Sequence, residues 1–527
     1  MPENFSIDYE QITYPNFVHA QTHPNRLAVM ARAYGLKSAP VEKCRVLEVG
    51  CGSGTNLLAM ACNLPESEFI GIDLSQKHIE FGKQAAAETG VKNLQLICAD
   101  LLRVDFAEFG RFDYIIAHGF FSWIPQTVRE KFLEICRENL APEGVAFVSY
   151  NAFPGCHLRL MMREMMMYHT ERIESPLEKV KQSVALLGFL KESAFEKEIY
   201  AKILENEFEK TVERQGEIII HDDLGTFNQP YYFHEFMAQA ERFDLQFLSE
   251  AEYFSDKYTS FDRAVVKVLD QFSDEEIVRR EQFFDFLKNR RFRQTLLCHN
   301  GANIKRKVTE DFFDGLHIVC DLRAESENPD LAPQKIEKFA KAGKEGVTID
   351  HPLTKAALFY LCEIFPRSAS FPELVEASEK AVKNQLGKEF GFAETDRDIL
   401  KDILLKIFGS ELVDFFIYEP QVADHASEKP KTDEFVRWQT RGNSDTLFTR
   451  RHRTKKIEDD FVRNLMMLTD GEHTREEIVS DFKEKISDGR LAFSSGDETA
   501  RQEFIENLPE AVENQLRQAA KLALFIS

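Results

Sequence analysis

No uninterrupted apolar run in the 527-residue sequence approaches the ~18–20 residues that a bilayer-spanning helix needs. The opening residues, MPENFSIDYE, lack the basic and apolar regions of a secretion signal. Metal-ligand spacing is missing too. The nine cysteines, at 44, 51, 62, 98, 136, 156, 298, 320 and 362, contain no Cys-x-x-Cys pair and no companion histidine cluster. Such an odd, scattered set reads as buried thiols in a reducing compartment rather than as a disulfide frame. These absences point to a cytoplasmic protein with no membrane insertion and no metal. Positive charge is also scarce: 66 Lys and Arg stand against 88 Asp and Glu, a formal net charge of −22. A surface built to grip phosphate backbones needs clustered cations, so nucleic acid is not an expected partner, whereas a basic substrate suits the charge. No repeat of solenoid type is present.

What is present is bulk for several cores. Hydrophobic residues make up 43% of the chain, with 45 phenylalanines, and the length corresponds to roughly three or four domains. Residues 23–35 have helical periodicity, with Pro24 early and Gly35 as the stop. Continuous apolar strands at 45–49, 69–73, 94–98, 112–117 and 145–150 alternate with amphipathic helices at 55–64, 76–89 and 125–139. That pattern predicts a doubly wound α/β domain, a parallel sheet covered on both faces, over 1–153. Helix then dominates. The run LRLMMREMMMYHTERI places five of the eleven methionines on one helix, which reads as a core or dimer-packing surface. Residues 217–220 read as a short strand, followed by a polar loop, a helix and another strand, with helices resuming to about 300. The polar stretch 324–345 reads as a linker. The expected divisions are a middle domain over 154–323, a winged-helix-like domain over 346–425 and a helical module over 426–527. TRRHRTKK (449–456) is the sharpest basic run, read as a solvated or inter-domain charge face, with an anionic partner as the alternative.

The chemistry concentrates at LEVGCGSGTN (47–56), where a strand runs into a Gly-x-Gly-x-Gly turn. Backbone amides at such a turn suit a polar ligand that approaches closely. A dinucleotide site wants Gly-x-Gly-x-x-Gly; here the third glycine of Gly50, Gly52 and Gly54 comes one position early. That spacing favours S-adenosylmethionine, which carries no pyrophosphate. Asp73 ends the second strand, 19 residues after Gly54, where a carboxylate can take the ribose hydroxyls. Asp100 ends the third strand, placed for the adenine amino group, and His118-Gly119 ends the fourth, where a reacting methyl would lie. The candidate cofactor contacts are Tyr14, His23, Glu48, Gly50, Cys51, Gly52, Gly54, Asn56, Asp73, Leu74, Asp100, Leu101, His118 and Gly119.

With the motifs LEVGCGSG, GIDLS and ICADL, the first 150 residues resemble a class I S-adenosylmethionine-dependent methyltransferase. The stretches YPNFVHAQTHPNRLAVMARAYGL, AHGFFSWIP, NQPYYFHEF and DFLKNRRFRQTLLCH resemble bacterial methyltransferases with a fused methyltransferase regulatory domain, a family that includes lysine methyltransferases of outer-membrane proteins. The resemblance implies S-adenosylmethionine as cofactor and a protein substrate with lysine acceptors. A small-molecule acceptor and a non-catalytic cofactor-sensing protein remain as alternatives, and the expected assembly is a homodimer. An in-line transfer from a sulfonium needs alignment and a site free of cations, with aromatic faces welcome. Tyr14, Phe120, Phe121, Trp123 and Tyr150 are the aromatic candidates. A lysine acceptor must lose its proton, which makes His118 the first candidate to orient it or take the proton. Tyr14, His221 and Asp222 complete the catalytic candidates, with the HDD run at 221–223 able to face a lysine ammonium.

Overall fold

The computed structural model describes residues 16–193, 199–214, 216–252, 261–341, 343–442, 444–457, 459–491 and 498–526. Five apolar strands come first: β1 (Arg45–Val49), β2 (Glu68–Asp73), β3 (Leu94–Cys98), β4 (Phe112–Ala117) and β5 (Leu140–Asn151). Between and before them lie α1 (Pro24–Ala33), α2 (Thr55–Asn63), α3 (Gln76–Glu88) and α4 (Gln126–Asn139). Two later strands, β6 (Leu245–Glu250) and β7 (Phe292–His299), complete a seven-stranded sheet of order β3-β2-β1-β4-β5-β7-β6. β1 to β5 pair in parallel, and β7 runs antiparallel to both its neighbours. The Rossmann-like, doubly wound reading is correct. Chain order reverses between β1 and β4, which opens a crevice at the carboxyl ends of those strands.

The sheet does not close at 153, and residues 292–299 are strand where helix was expected. The cause is Arg293, which sits in the core although its type belongs on a surface. Its guanidinium donates to Glu250 at 2.6 Å and to both Asp285 oxygens at 2.8 and 2.9 Å, and lies 3.8 Å from the centre of the Phe233 ring. Buried charge paired on several sides is tolerated where a lone one is not.

Between β5 and β6 the chain inserts α5 (Cys156–Thr170), α6 (Pro176–Ser193), α7 (Ile199–Val212), α8 (Gly216–Asp222) and α9 (Phe233–Glu241). Met162 and Met166 of the methionine-rich helix pack with Leu187 and Leu204 in a core of their own. The EIII run expected as a strand is α8: burial of Ile219, Ile220 and His221 against the insertion overrides the strand preference of branched residues. α10 (Arg263–Leu269) and α11 (Ile277–Lys288) precede β7.

Beyond the sheet, β8 (His317–Cys320) leads to β9 (Arg323–Ala324), β10 (Glu337–Lys341) and β11 (Lys344–Ile349). These last three form an antiparallel sheet within the supposed linker, anchored by buried Phe339 and Ile349. Exposed charged residues of the connection between β9 and β10, Glu325, Glu327, Asp330 and Lys335, gave that stretch its linker-like composition. Next come α12 (Pro352–Ile364), β12 (Ala369–Ser370), α13 (Phe371–Leu386), α14 (Glu394–Gly409) and β13 (Val413–Phe416), three helices closed by the small sheet β12-β8-β13. The C-terminal unit holds α15 (Glu434–Arg441), the hairpin β14 (Thr446–Phe448) and β15 (Thr454–Lys456), then α16 (Asp460–Leu468), α17 (Arg475–Ser487) and α18 (Glu498–Lys521).

Apolar packing and hydrogen bonds hold these parts around the sheet. Leu27, Met30 and Ala31 of α1 share one core with Val46 and Phe147 of the sheet and with Leu353 and Phe415 beyond it. Asn25 reinforces this by donating to the Phe415 carbonyl at 2.8 Å and accepting the Ile417 N–H at 3.0 Å. The C-terminal unit packs Phe435 and Phe448 against Leu58, Ala59, Ala85 and Ala86 of α2 and α3, and Trp438 donates to Glu88 at 2.6 Å.

α3 presses against the turn that precedes α2. At Gly82 an added Cβ would lie 2.0 Å from the Ser53 carbonyl oxygen and 2.6 Å from Leu96. Gly82→Ala is therefore expected to cost about 1–3 kcal/mol by overpacking, read as a lower melting temperature. An unchanged melting temperature would show that α3 is not seated on the turn.

Candidate functional site

After Val49 the chain turns through Gly50, Gly52 and Gly54 with φ of +71°, +55° and +69°, a region that L side chains seldom enter. The three glycines differ in what surrounds them. An added Cβ would meet Phe120 at Gly50 and Leu96 at Gly54, whereas above Gly52 none of the described residues lies within 4 Å. Two of them therefore serve packing, and Gly52 is where backbone faces open space. The Gly50 N–H clamps the turn to β2 by donating to the Ile72 carbonyl at 2.8 Å. Asp73, ending β2, accepts the Gly52 N–H at 2.8 Å and the Ser75 N–H at 2.9 Å. Its carboxylate is thereby held beside the turn.

Below the turn sits Glu48, only 4% exposed. One carboxyl oxygen accepts the Asn56 amide N–H at 3.0 Å, while Oε2 is buried with no partner among the described residues. Burial pushes the Glu48 carboxyl up to about 8, against the pull of the Asn56 hydrogen bond. Asn56 opens α2 and is fully engaged. Its Nδ2 also donates to Thr22 at 3.0 Å, and its Oδ1 accepts the His19 backbone N–H at 3.0 Å and faces His452 Nε2 at 2.8 Å.

At the end of β4, His118 stacks on His19 with ring centres 3.7 Å apart, and Phe147 lies behind it at 5.8 Å. Burial and the neighbouring His19 ring hold His118 well below the usual histidine range, and burial brings His19 to about 4. Both imidazoles are neutral near pH 7, so these two rings offer their faces and no positive charge to a sulfonium. Gly119, with φ of +61° and open space at its Cβ position, donates to Ser149 at 2.8 Å. Asp100 caps a short turn by accepting the Leu102 N–H at 3.1 Å; Leu101 is buried and Leu74 is exposed beside β2. Cys51 is half-buried within the turn.

Other candidates fall elsewhere. His23 caps α1, its Nδ1 accepting the Asn25 N–H at 3.1 Å, and its ring lies 5.1 Å from that of His452. Phe121 and Tyr150 are core residues, Tyr150 stacking on Phe236 at 4.2 Å and bonding Thr295, and Trp123 is buried as well. Phe120 is the member of that aromatic set that lies on the glycine turn. His221 is buried in α8, and Asp222 faces Arg159 at 3.4 Å beside the Arg159–Asp223 pair at 2.7 Å. With Arg214 also on Asp223 at 2.5 Å, the HDD carboxylates are already occupied by two arginines rather than open to a lysine ammonium. Tyr14 lies outside the described residues. Sequence reading missed His19 and His452, and also a polar line at the end of β5, where Asn151 donates to Asn228 at 2.9 Å and Asn228 to the Asp222 carbonyl at 3.0 Å. NQP at 228–230 was the available signal for Asn228; none marked His452. Among the described residues no group of three or more His, Cys, Asp or Glu side chains could hold a metal, and no helix is long and apolar enough to cross a membrane.

The residues present fit S-adenosylmethionine. The orphaned Glu48 oxygen would take the ammonium, the open face of Gly52 the amino-acid chain, Asp73 the ribose hydroxyls and Asp100 the adenine edge. When bound, the cofactor supplies an activated methyl on sulfur. An ammonium beside Glu48 would draw its carboxyl back to the ionised form, so binding at pH 7 is expected to release close to one proton. Titration calorimetry in two buffers of different ionisation enthalpy reads this, and Glu48→Gln should release none. The raised pKa also sets a stability sign. Without cofactor, the wild type loses stability relative to Glu48→Gln as pH rises from about 5 to 8, by at most about 1.4 kcal/mol per pH unit. Parallel melting curves across that window would contradict the assignment.

Three family models match the chain in order: a methyltransferase domain over residues 46–144, a predicted methyltransferase regulatory domain over 215–299, and a PKMT C-terminal winged helix domain over 428–524. The last falls on the stretch read from sequence as a helical module, downstream of the 346–425 stretch read as winged-helix-like. An uncharacterized protein of Rickettsia prowazekii is 29% identical over 493 residues, covering 92% of this chain and 87% of that protein. A second uncharacterized protein of the same organism is 36% identical over 237 residues, 45% of this chain and 94% of that protein. Among solved structures, PKMT2 from Rickettsia typhi superposes with a TM-score of 0.86 at 27% identity over 98% of this chain and all of that one, and its complex with AdoHcy with 0.84. A sheet of order β3-β2-β1-β4-β5-β7-β6, a glycine turn at its switch point and these matches give one conclusion: the chain belongs to the class I S-adenosylmethionine-dependent methyltransferases with a fused methyltransferase regulatory domain.

Proposed function

We propose that the acceptor is the side-chain amine of lysine in a protein substrate. The observation that carries this reading is the extent of the likeness to PKMT2: it runs through the helical insertion and the C-terminal unit, not only the catalytic sheet. A small acceptor needs only a lid, whereas this chain surrounds its sheet with some three hundred further residues, about two domains' worth. The net charge of −22 favours approach of a lysine-rich partner. Asp73 and Asp100 hold the nucleoside, Glu48 the ammonium, and the neutral His118–His19 stack lines the reacting end. His118, depressed well below the usual histidine range, is too weak a base to take a lysine proton; it orients the amine, which loses its proton to solvent before attack. Exposed apolar side chains of the helical insertion, Tyr168, Phe189 and Ile199 among them, are available to a homodimer contact, and nine cysteines with no disulfide between them accord with work in the reducing cytoplasm.

Incubation of the protein with S-adenosylmethionine and a lysine-rich polypeptide is expected to raise the polypeptide's intact mass in steps of one methyl, with the steps mapping to lysines and lost with Asp73→Ala. Methylation of a small amine with no change in polypeptide mass would overturn the acceptor. Because His118 stays neutral across the working range, His118→Gln should lower kcat while leaving the rise of rate with pH parallel to wild type. A new or vanished inflection would show that His118 does carry the proton.

A further inference from the structure

A hydrogen bond to Asn56, at the start of α2 just past the glycine turn, comes from a residue in a run that reads as plain surface charge. His452 lies at the tip of the β14–β15 hairpin with φ of +55° and is only 2% exposed. The tip is tightly built: the Thr449 N–H donates to the Arg453 carbonyl at 2.9 Å and the His452 N–H to the Thr449 carbonyl at 2.8 Å. The flanking arginines fix it between parts of the chain. Arg450 pairs with Asp433 at 2.6 Å, Arg453 with Asp414 at 2.8 Å, and Arg451 donates to the Pro366 carbonyl. The basic run is an inter-domain charge face, and it carries one imidazole inward.

That imidazole places Nε2 2.8 Å from Asn56 Oδ1, a contact across 396 residues of sequence. The orientation of the Asn56 amide follows from its other partners. Glu48 and Thr22 are both positioned to accept from Nδ2, and the His19 backbone N–H must meet an acceptor, so Oδ1 faces His452. His452 then carries its proton on Nε2 and donates it, a tautomer assigned from the network. All four hydrogen-bonding positions of the Asn56 amide are filled, and the amide holds Glu48 Oε1 so that the orphaned Oε2 points away from it.

We propose that His452 is a positioning residue of the cofactor site: by donating to Asn56 it fixes the amide that orients Glu48, so that cofactor affinity depends on the seating of the C-terminal unit. The proposal rests on the reading of the glycine turn and Glu48 as the cofactor's amino-acid subsite. A charge-bearing hairpin from the C-terminal unit thereby supplies the one hydrogen bond to Asn56 that Glu48, Thr22 and His19 leave unmade.

The test is calorimetric titration of S-adenosylmethionine into the full-length wild type, Asp73→Ala, Glu48→Gln and three variants at 452, with melting temperatures measured alongside. Glutamine can place an N–H where Nε2 stands; asparagine tolerates positive φ better than other non-glycine residues but is too short to reach. The expected result is affinity near wild type for His452→Gln and a loss of about tenfold for His452→Asn and His452→Ala, the worth of one hydrogen bond of about 1.4 kcal/mol. Under this proposal turnover at saturating cofactor changes little, and the loss does not follow melting temperature, since His452→Asn is the better accommodated backbone. If Asp73→Ala and Glu48→Gln lose affinity while every His452 variant keeps it, the proposal is overturned. If affinity instead tracks melting temperature across the three, the role is structural and the proposal again fails. If Asp73→Ala and Glu48→Gln both bind as wild type, the underlying reading of the subsite is what has failed.

Discussion

The side-chain amide of Asn56 is where three distant stretches of the chain meet. It donates to Glu48 on β1 and to Thr22 ahead of α1, and it accepts from His19 and His452. An amide offers two donors and two acceptor sites, and here each is met by a different residue. Because the group is buried, leaving any one unmet carries a cost that water cannot relieve. The N-terminal arm, the glycine turn and the C-terminal hairpin therefore cannot be moved independently. The rest of the arrangement follows: α1 is wedged between sheet and C-terminal parts, and the arginines around His452 pair with Asp414 and Asp433 rather than with solvent.

The electrostatics of the crevice suit a cation that must not be repelled. Four histidines stand close together near the turn, and burial lowers the basicity of every one, His19 and His23 to about 4 and His118 and His452 well below their ordinary range. They contribute faces and hydrogen bonds without positive charge. The nearby acid, Glu48, is instead pushed by burial toward its neutral form, which an ammonium beside it would reverse. A site of neutral imidazoles and one reluctant carboxyl is expensive in an empty protein and favourable around a zwitterion that also bears a sulfonium.

The first five strands, their helices and the polar residues at the strand ends were legible in the sequence, because continuous apolar runs and a glycine-rich turn are local signals. What escaped was set by partners far along the chain. Arg293 disguised β7, since nothing near it in sequence announces Glu250 as its counter-ion. α8 disguised itself as a strand, since the burial that favours a helix for EIII comes from the helical insertion. Phe121 and Tyr150 looked like faces for the cofactor and are core, because a sequence does not say which side of a strand end a ring takes. His452 was hidden by its neighbours: in TRRHRTKK the arginines dominate the reading, and only the fold turns the histidine inward.

The most direct measurement of this linkage is hydrogen exchange on the full chain with and without S-adenosylhomocysteine, followed by peptide mapping. Joint seating of the three segments around Asn56 calls for slowed exchange in peptides covering 16–27, 47–58 and 447–455 together, although the last lies nearly four hundred residues from the glycine turn. Protection confined to 47–58 and the ends of the following strands, with 447–455 exchanging as before, would contradict it.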